Sequence, residues 1–199
     1  MKTIAPMEAY LAPNVWIESA HPDVQRVARG FDSPEAAYRF VRDTVRHSYD
    51  IRAVDITATA SEVLAAGHGI CYAKAHLLAA ILRAMGIPSG LAYQRLVLFD
   101  DPRDGYSLHA VNTIYLREAQ RWVRVDARGN KPGVNAQYST DKEMLAFPVR
   151  PELGEVDYPW NFDTPPAPIR NFYALQGNIS ELYARCLPGI LEINDDTNS

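Results

Sequence analysis

The chain is poor in cysteine, in long apolar runs and in excess basic charge, and each shortage closes off a class of protein. Only two cysteines, Cys71 and Cys186, occur in 199 residues. That is too few for a disulfide framework or a cysteine-based metal cluster, so neither a metal nor another cofactor is expected. No apolar run approaches the roughly 20 residues needed to cross a bilayer, and Met1 to Pro6 holds no stretch of signal-peptide length. The expectation is a cytoplasmic protein without membrane contact, whose thiols stay reduced. Lys and Arg number 20 against 24 Asp and Glu, giving a formal charge of -4. Nucleic-acid partners are held by the opposite imbalance, so none is expected. Arg26, Arg29, Arg39, Arg42 and Arg46 do gather, but the last three fall on one predicted helix as its solvated face. No internal repeat is visible.

What is present suits one globular domain over residues 1–199: 47% of the residues are apolar and 22% charged, and the length suffices for a real core. A helix follows His21-Pro22-Asp23 and ends near Gly30. A stronger one starts at Ser33-Pro34-Glu35, an N-cap, a proline at the first helical position and an early acid. Its apolar stripe reads Ala37, Phe40, Val41, Thr44, Val45 and, at its end, Tyr49. A short helix over the end of Thr57 to Ala66 takes Ser61 as cap and Gly67 as stop. The next helix runs from Cys71 to about Met85, terminated by Gly86 and Pro88. Ala75, Leu78, Ala79 and Leu82 share its buried face, widened by Leu77 and Ile81. Burying four such side chains contributes roughly 6–12 kcal/mol before entropy is subtracted.

Three strand-like runs follow, Leu91–Phe99, Leu108–Leu116 and Arg121–Val125. The last two are joined by the short Arg117–Gln120 turn. Helices first and an antiparallel sheet second give an α+β fold, with the Cys71 helix packed on the sheet and a core of about residues 20–150. Beyond Asp126 the pattern weakens. Asp141–Leu145 reads as a short helix, Phe147–Pro168 as proline-rich irregular chain wrapping the domain, and Asn171–Arg185 as a last helix. Residues 151–199 thus read as an irregular extension, frayed after Ile193. Tyr158 and Trp160 are candidate covers for a cleft, with plain surface packing as the alternative.

Chemistry enters through three residues at element ends. Cys71 begins a helix after Gly67-His68-Gly69-Ile70, where a helix start favours a thiolate. His109 opens one strand and Asp126 closes its antiparallel neighbour, so both lie at the same end of the ladder. A thiol nucleophile, an imidazole base and a carboxylate that orients it make an acyl-transfer triad. Gly67 and Gly69 allow close backbone approach, and the Cys71 amide is a candidate oxyanion donor. The bland alternatives are a small core cysteine, a satisfied histidine and a turn-forming aspartate. His76, five residues after Cys71, points elsewhere on the helix, while His68 could line the cleft. A zinc site from Cys71, His68, His109 and Asp126 matches no compact zinc spacing. Lys74 reads as a solvated charge, and Cys186 as structural.

These segments resemble the transglutaminase-like superfamily. The likeness lies in Gly69-Ile70-Cys71, His109-Ala110-Val111 and Trp122-Val123-Arg124-Val125-Asp126. It is supported by Phe40-Val41-Arg42-Asp43 with Tyr49 upstream and by Asp126-Ala127-Arg128-Gly129-Asn130-Lys131, which is similar to a small bacterial branch. The resemblance implies a papain-like α+β fold and a thioacyl intermediate on Cys71, with His109 as acid/base and Asp126 as orienter. Tyr49 is one candidate for the family's aromatic oxyanion partner, which no motif places. The expected substrate is a peptide or small amide. Family members include amidases, peptidases, transferases and non-catalytic modules, so two rivals to hydrolysis stand. One is transfer to an amine in a water-excluding cleft lined by Tyr72, Trp122 and Tyr138; the other is an interaction domain with a vestigial triad.

Overall fold

The computed structural model describes residues 1–192, the side chain of Asp100 excepted. The expectation for the tail after Ile193 falls outside them. Local signals set most boundaries. Strand β1 (Lys2–Thr3) is followed by α1 (Pro22–Ala28), which starts on Pro22 with the His21 side chain accepting from the Asp23 amide. Helix α2 (Pro34–Arg39) is capped by Ser33 Oγ, which accepts from the Ala36 amide at 3.2 Å.

Residues Phe40–Thr44 then widen into a π-turn, and Val45 is already extended. The wider turn breaks the 3.6-residue period, so the apolar stripe predicted through Thr44 and Tyr49 does not hold. Thr44 and Tyr49 are exposed, while Tyr38 is fully buried. Nor are the three arginines one solvated face. Arg42 is largely covered, donating to the Ala136 carbonyl, and Arg46 lies on a strand.

Strand β2 (Arg46–His47) pairs in parallel with β3 (His68–Gly69). Between them lies α3 (Ala60–Ala66). Its cap is Thr59 rather than Ser61, because Thr59 and Glu62 form a reciprocal capping box. Gly67 closes the helix at φ 71°, a left-handed position that a side chain would strain. Helix α4 (Cys71–Ala84) is buried at every position from Tyr72 to Arg83. At its far end the Arg83 guanidinium donates to the carbonyls of Ser89, Ala12 and Asp163, tying in the segments before and after the core.

Strands β4 (Ser89–Val97), β5 (Tyr106–Leu116) and β6 (Arg121–Val125) form an antiparallel sheet against which α4 packs. Its order is β6-β5-β4-β7, where β7 (Val156–Asp157) pairs with Gln94 and Arg95. The extension after residue 150 is therefore not merely irregular, since it supplies an edge of the main sheet. Strand β8 (Trp160–Asn161) pairs with β1, and Phe162 bridges to Leu91. Gly90 makes room for this closure: a β-carbon there would lie 2.2 Å from Asn161 Oδ1. No helix forms over Asp141–Leu145, a stretch without a buried residue and held by turns on Ser139 Oγ. The predicted last helix is two, α5 (Ala167–Tyr173) and α6 (Ile179–Arg185), with Gly177 at φ 141° in the break.

Candidate active site

Cys71 is the first residue of α4, after Ile70 in an extended N-cap conformation that adds no side-chain cap. The amides of the first turn are therefore not claimed by a capping side chain. Cys71 is half-buried, whereas its helix is covered along its length. The strand carrying His109 is fastened to the same helix twice. The Tyr72 hydroxyl donates to the Leu108 carbonyl at 2.7 Å, and Asn112 Nδ2 donates to the Ala75 carbonyl at 2.8 Å. One helix thus positions both the thiol and the imidazole's backbone.

His109 lies three residues inside β5 rather than at its start, facing Gln94 across the ladder. The β5–β6 register pairs Asn112 with Val125, so Asp126 follows the last pair at the His109 end. His109 Nε2 and Asp126 Oδ2 lie 2.7 Å apart. An ionised carboxylate only accepts, so Nε2 carries a proton in either charge state, and Nδ1 faces the thiol, protonated in the imidazolium and bare in the neutral ring. Asp126 is fully buried and saturated: Oδ2 also accepts from the Ala146 amide at 2.9 Å, and Oδ1 from the Arg128 amide at 3.0 Å. The Tyr38 hydroxyl donates to its backbone carbonyl.

Burial alone would discharge both partners, but each holds the other charged. For His109 the burial cost is outweighed by Asp126 and by Cys71, and the pKa rises to about 10. For Asp126, burial is outweighed by His109 and by the two amides, and the carboxyl stays below its ordinary range. An imidazolium therefore persists at neutral pH beside the thiol.

Cys71 and His109 open into a cleft of about 480 Å³, whose walls include Tyr49, Val97, Phe147 and Tyr183. Phe147 stands edge-on to the His109 ring at 5.1 Å, and Tyr49 stacks on Tyr183 at 4.5 Å. Of the three aromatics expected to exclude water, only Tyr72 lines this cleft. Trp122 packs between Tyr10 and Tyr115, and Tyr138 packs on Tyr38. Tyr158 and Trp160 do not cover it either. They stack on each other, and the Tyr158 hydroxyl accepts from the Leu191 amide.

The other histidines separate cleanly. His68 does not line the cleft; its Nδ1 meets Ser48 Oγ at 3.0 Å. His76 is buried with Nδ1 on the Ala58 carbonyl. Among the described residues no three His, Cys, Asp or Glu side chains cluster as a metal site. Lys74 is the largest misreading. Its ammonium is buried, donating to the Val45 and Arg42 carbonyls, and burial followed by the nearby Arg128 lowers its pKa to about 7. Cys186 is exposed rather than a packed structural thiol.

Sequence reasoning passed over His47, which is buried on the cleft wall with Nδ1 unpartnered. Burial, then Arg128, pushes its pKa well below the ordinary histidine value. It sits on a two-residue strand whose pairing with Gly69, two positions before Cys71, no local pattern announces.

The sequence model of the transglutaminase-like superfamily matches residues 24–127, more than half of the chain. The chain belongs to the transglutaminase-like superfamily. The matched span runs from α1 through Asp126 and so holds Cys71, His109 and Asp126. Among solved structures, a candidate cysteine protease from Cytophaga hutchinsonii is similar over 61% of this chain, with 19% identity and a TM-score of 0.50. The periplasmic domain of TgpA from Pseudomonas aeruginosa is similar over 62%, with 18% identity and a TM-score of 0.44. The chain spans 42% and 48% of those two structures. No curated protein sequence matches it. Among the described residues no helix is long and apolar enough to cross a membrane.

Proposed function

We propose that the protein is a cysteine-dependent hydrolase of a peptide or small amide, working through a thioacyl-enzyme on Cys71. The observation that carries this reading is the Nε2–Oδ2 contact of 2.7 Å between His109 and buried Asp126, with the other ring nitrogen free to serve Cys71 in an open cleft. Sγ attacks the carbonyl carbon, and the oxyanion grows toward the uncapped amides at the start of α4. The imidazolium then gives its proton to the leaving nitrogen as the C–N bond breaks. Water attacks the thioester, His109 takes its proton, and the thiolate leaves. Asp126 holds the tautomer and the charge throughout.

Transfer to an amine would use the same steps with another acceptor. Of the aromatics expected to enclose that acceptor, Trp122 and Tyr138 lie elsewhere, while Tyr72 lines the cleft together with Tyr49, Phe147 and Tyr183, so the lining does not separate an amine from water as acceptor. Two free cysteines suit a reducing compartment, and we assign the protein to the cytoplasm on that ground. The test is the rate of iodoacetamide alkylation at Cys71 across pH in wild type and His109→Ala. Rapid alkylation at neutral pH is expected in wild type and a markedly slower rate in the variant. Identical profiles would remove His109 from the mechanism.

A further inference from the structure

Behind the cleft wall lies a second cavity of about 500 Å³, which shares His47, Arg128 and Lys131 with the cleft. Five basic side chains line it, Arg42, Arg46, Lys74, Arg128 and Lys131, against two acids, Asp43 and Asp50. The acids are already committed. Asp43 makes a two-pronged contact with Arg42, and Asp50 makes another with Arg128 while also accepting from Lys131 at 3.2 Å.

Two cations are left over. Arg46 is exposed and has no partner among the described residues. Lys74 is 1% exposed and meets only carbonyl oxygens. Buried ammonium groups normally have a carboxylate or another anion beside them, because desolvating an unpaired charge costs several kcal/mol. Burial first, then the nearby Arg128, lowers the Lys74 pKa against the opposing pull of Asp126, Asp43 and Asp50, none of which is hydrogen-bonded to its ammonium. The unpartnered Nδ1 of buried His47, on the wall common to both cavities, is a second unsatisfied polar group at this place.

We propose that this cavity is an oxyanion site, in which Arg46, Lys74 and Lys131 hold a carboxylate of the substrate beside the scissile amide. Phosphate presents the same chemistry and would fill the site as a free ion. The substrate class so defined is a short peptide or amide bearing a carboxylate within about one residue of the bond cleaved. This rests on the hydrolase reading only for the word substrate, since anion binding itself needs no catalysis.

The experiment uses Cys71→Ala protein, so that its outcome is independent of turnover. Calorimetric titration is run with inorganic phosphate, and with one tripeptide as its free C-terminal acid, its C-terminal amide and an acidic side-chain version. Saturable phosphate binding is expected, weakened about tenfold or more in Arg46→Gln/Lys131→Gln, whose altered side chains are solvent-accessible. One acid form should bind about tenfold tighter than the neutral peptide, with phosphate competing for it and the preference lost in the double variant. Phosphate binding unchanged by the double substitution, or none at all, overturns the site. Phosphate binding that the double variant loses, with acid and amide peptides equal, overturns the substrate carboxylate and leaves a free ion. Neither result bears on Cys71 alkylation, so failure here and failure of the hydrolase reading stay separate.

Discussion

Replacing Asp126 with Asn perturbs the site in a way its hydrogen bonds define closely. Oδ2 accepts from the His109 ring and from the Ala146 amide, and Oδ1 accepts from the Arg128 amide. Asparagine keeps an oxygen at only one of the two positions. With oxygen at the Oδ2 position it retains two donors and turns its NH2 toward the Arg128 amide. The opposite rotamer sets NH2 against Ala146 and forces His109 to accept at Nε2. Each rotamer orphans one amide, but only the second also forces the imidazole into its other tautomer; in the first the variant keeps the tautomer and loses chiefly the negative charge. The orphaned Arg128 amide costs about 1–3 kcal/mol at any pH.

The lost charge pairing adds a pH-dependent part, on the order of 2–4 kcal/mol. Its sign follows from the two shifts. The His109 pKa rises on folding from 6.5 to about 10, so its stabilisation is complete below pH 6.5 and fades as the pH climbs toward 10. The Asp126 pKa falls from 3.8, so its stabilisation is present above that value and is lost as the pH drops through the lower native one. The stability gap between wild type and Asp126→Asn should be widest between about pH 4 and 6.5 and should narrow toward pH 10. Urea unfolding of both proteins at pH 6 and pH 10 measures it. A gap that is flat, or that widens with pH, refutes the charged pair.

Three further outcomes follow from the packing. Trp160→Ala should lower stability while leaving substrate size preference unchanged, because Trp160 stacks on Tyr158 away from the cleft; altered size preference at constant stability would put it back over the site. Gly90→Ala should destabilise by about 1–3 kcal/mol, judged by thermal unfolding, since its new β-carbon meets Asn161, the Phe162 carbonyl and Thr113 together. A neutral result would mean that the β8 segment shifts freely. Cys186, being exposed, should alkylate at a rate that His109→Ala does not alter, as followed by peptide mass mapping. A drop at Cys186 in that variant would indicate a general loss of structure.

The parts of the site legible in the sequence are those that a strong local signal anchors. Cys71 follows a glycine stop and opens the most apolar helix, and the short Arg117–Gln120 turn fixes which ends of β5 and β6 meet. Those features bring Cys71, His109 and Asp126 forward as candidates without any long-range information. What escaped depends on contacts between distant segments. Lys74 reads as a solvated charge because nothing nearby in sequence shows that the Val45 carbonyl will receive it. Arg124 binds both Glu143 and Asp157, which draws the chain after residue 140 onto the sheet, where a short helix at Asp141–Leu145 and irregular chain beyond it were expected. The π-turn at Phe40–Thr44 likewise leaves no compositional mark, yet it ends the helical period and turns Tyr49 out to the cleft rim.

The most direct test of a nucleophilic Cys71 is intact mass spectrometry after brief reaction with an activated ester such as p-nitrophenyl acetate at pH 7, followed by peptide mapping. A single acetyl group on Cys71, decaying with time in wild type and barely formed in His109→Ala, is the expected result. Acetyl found on Cys186 alone, or equal labelling of Cys71 in both proteins, would contradict it.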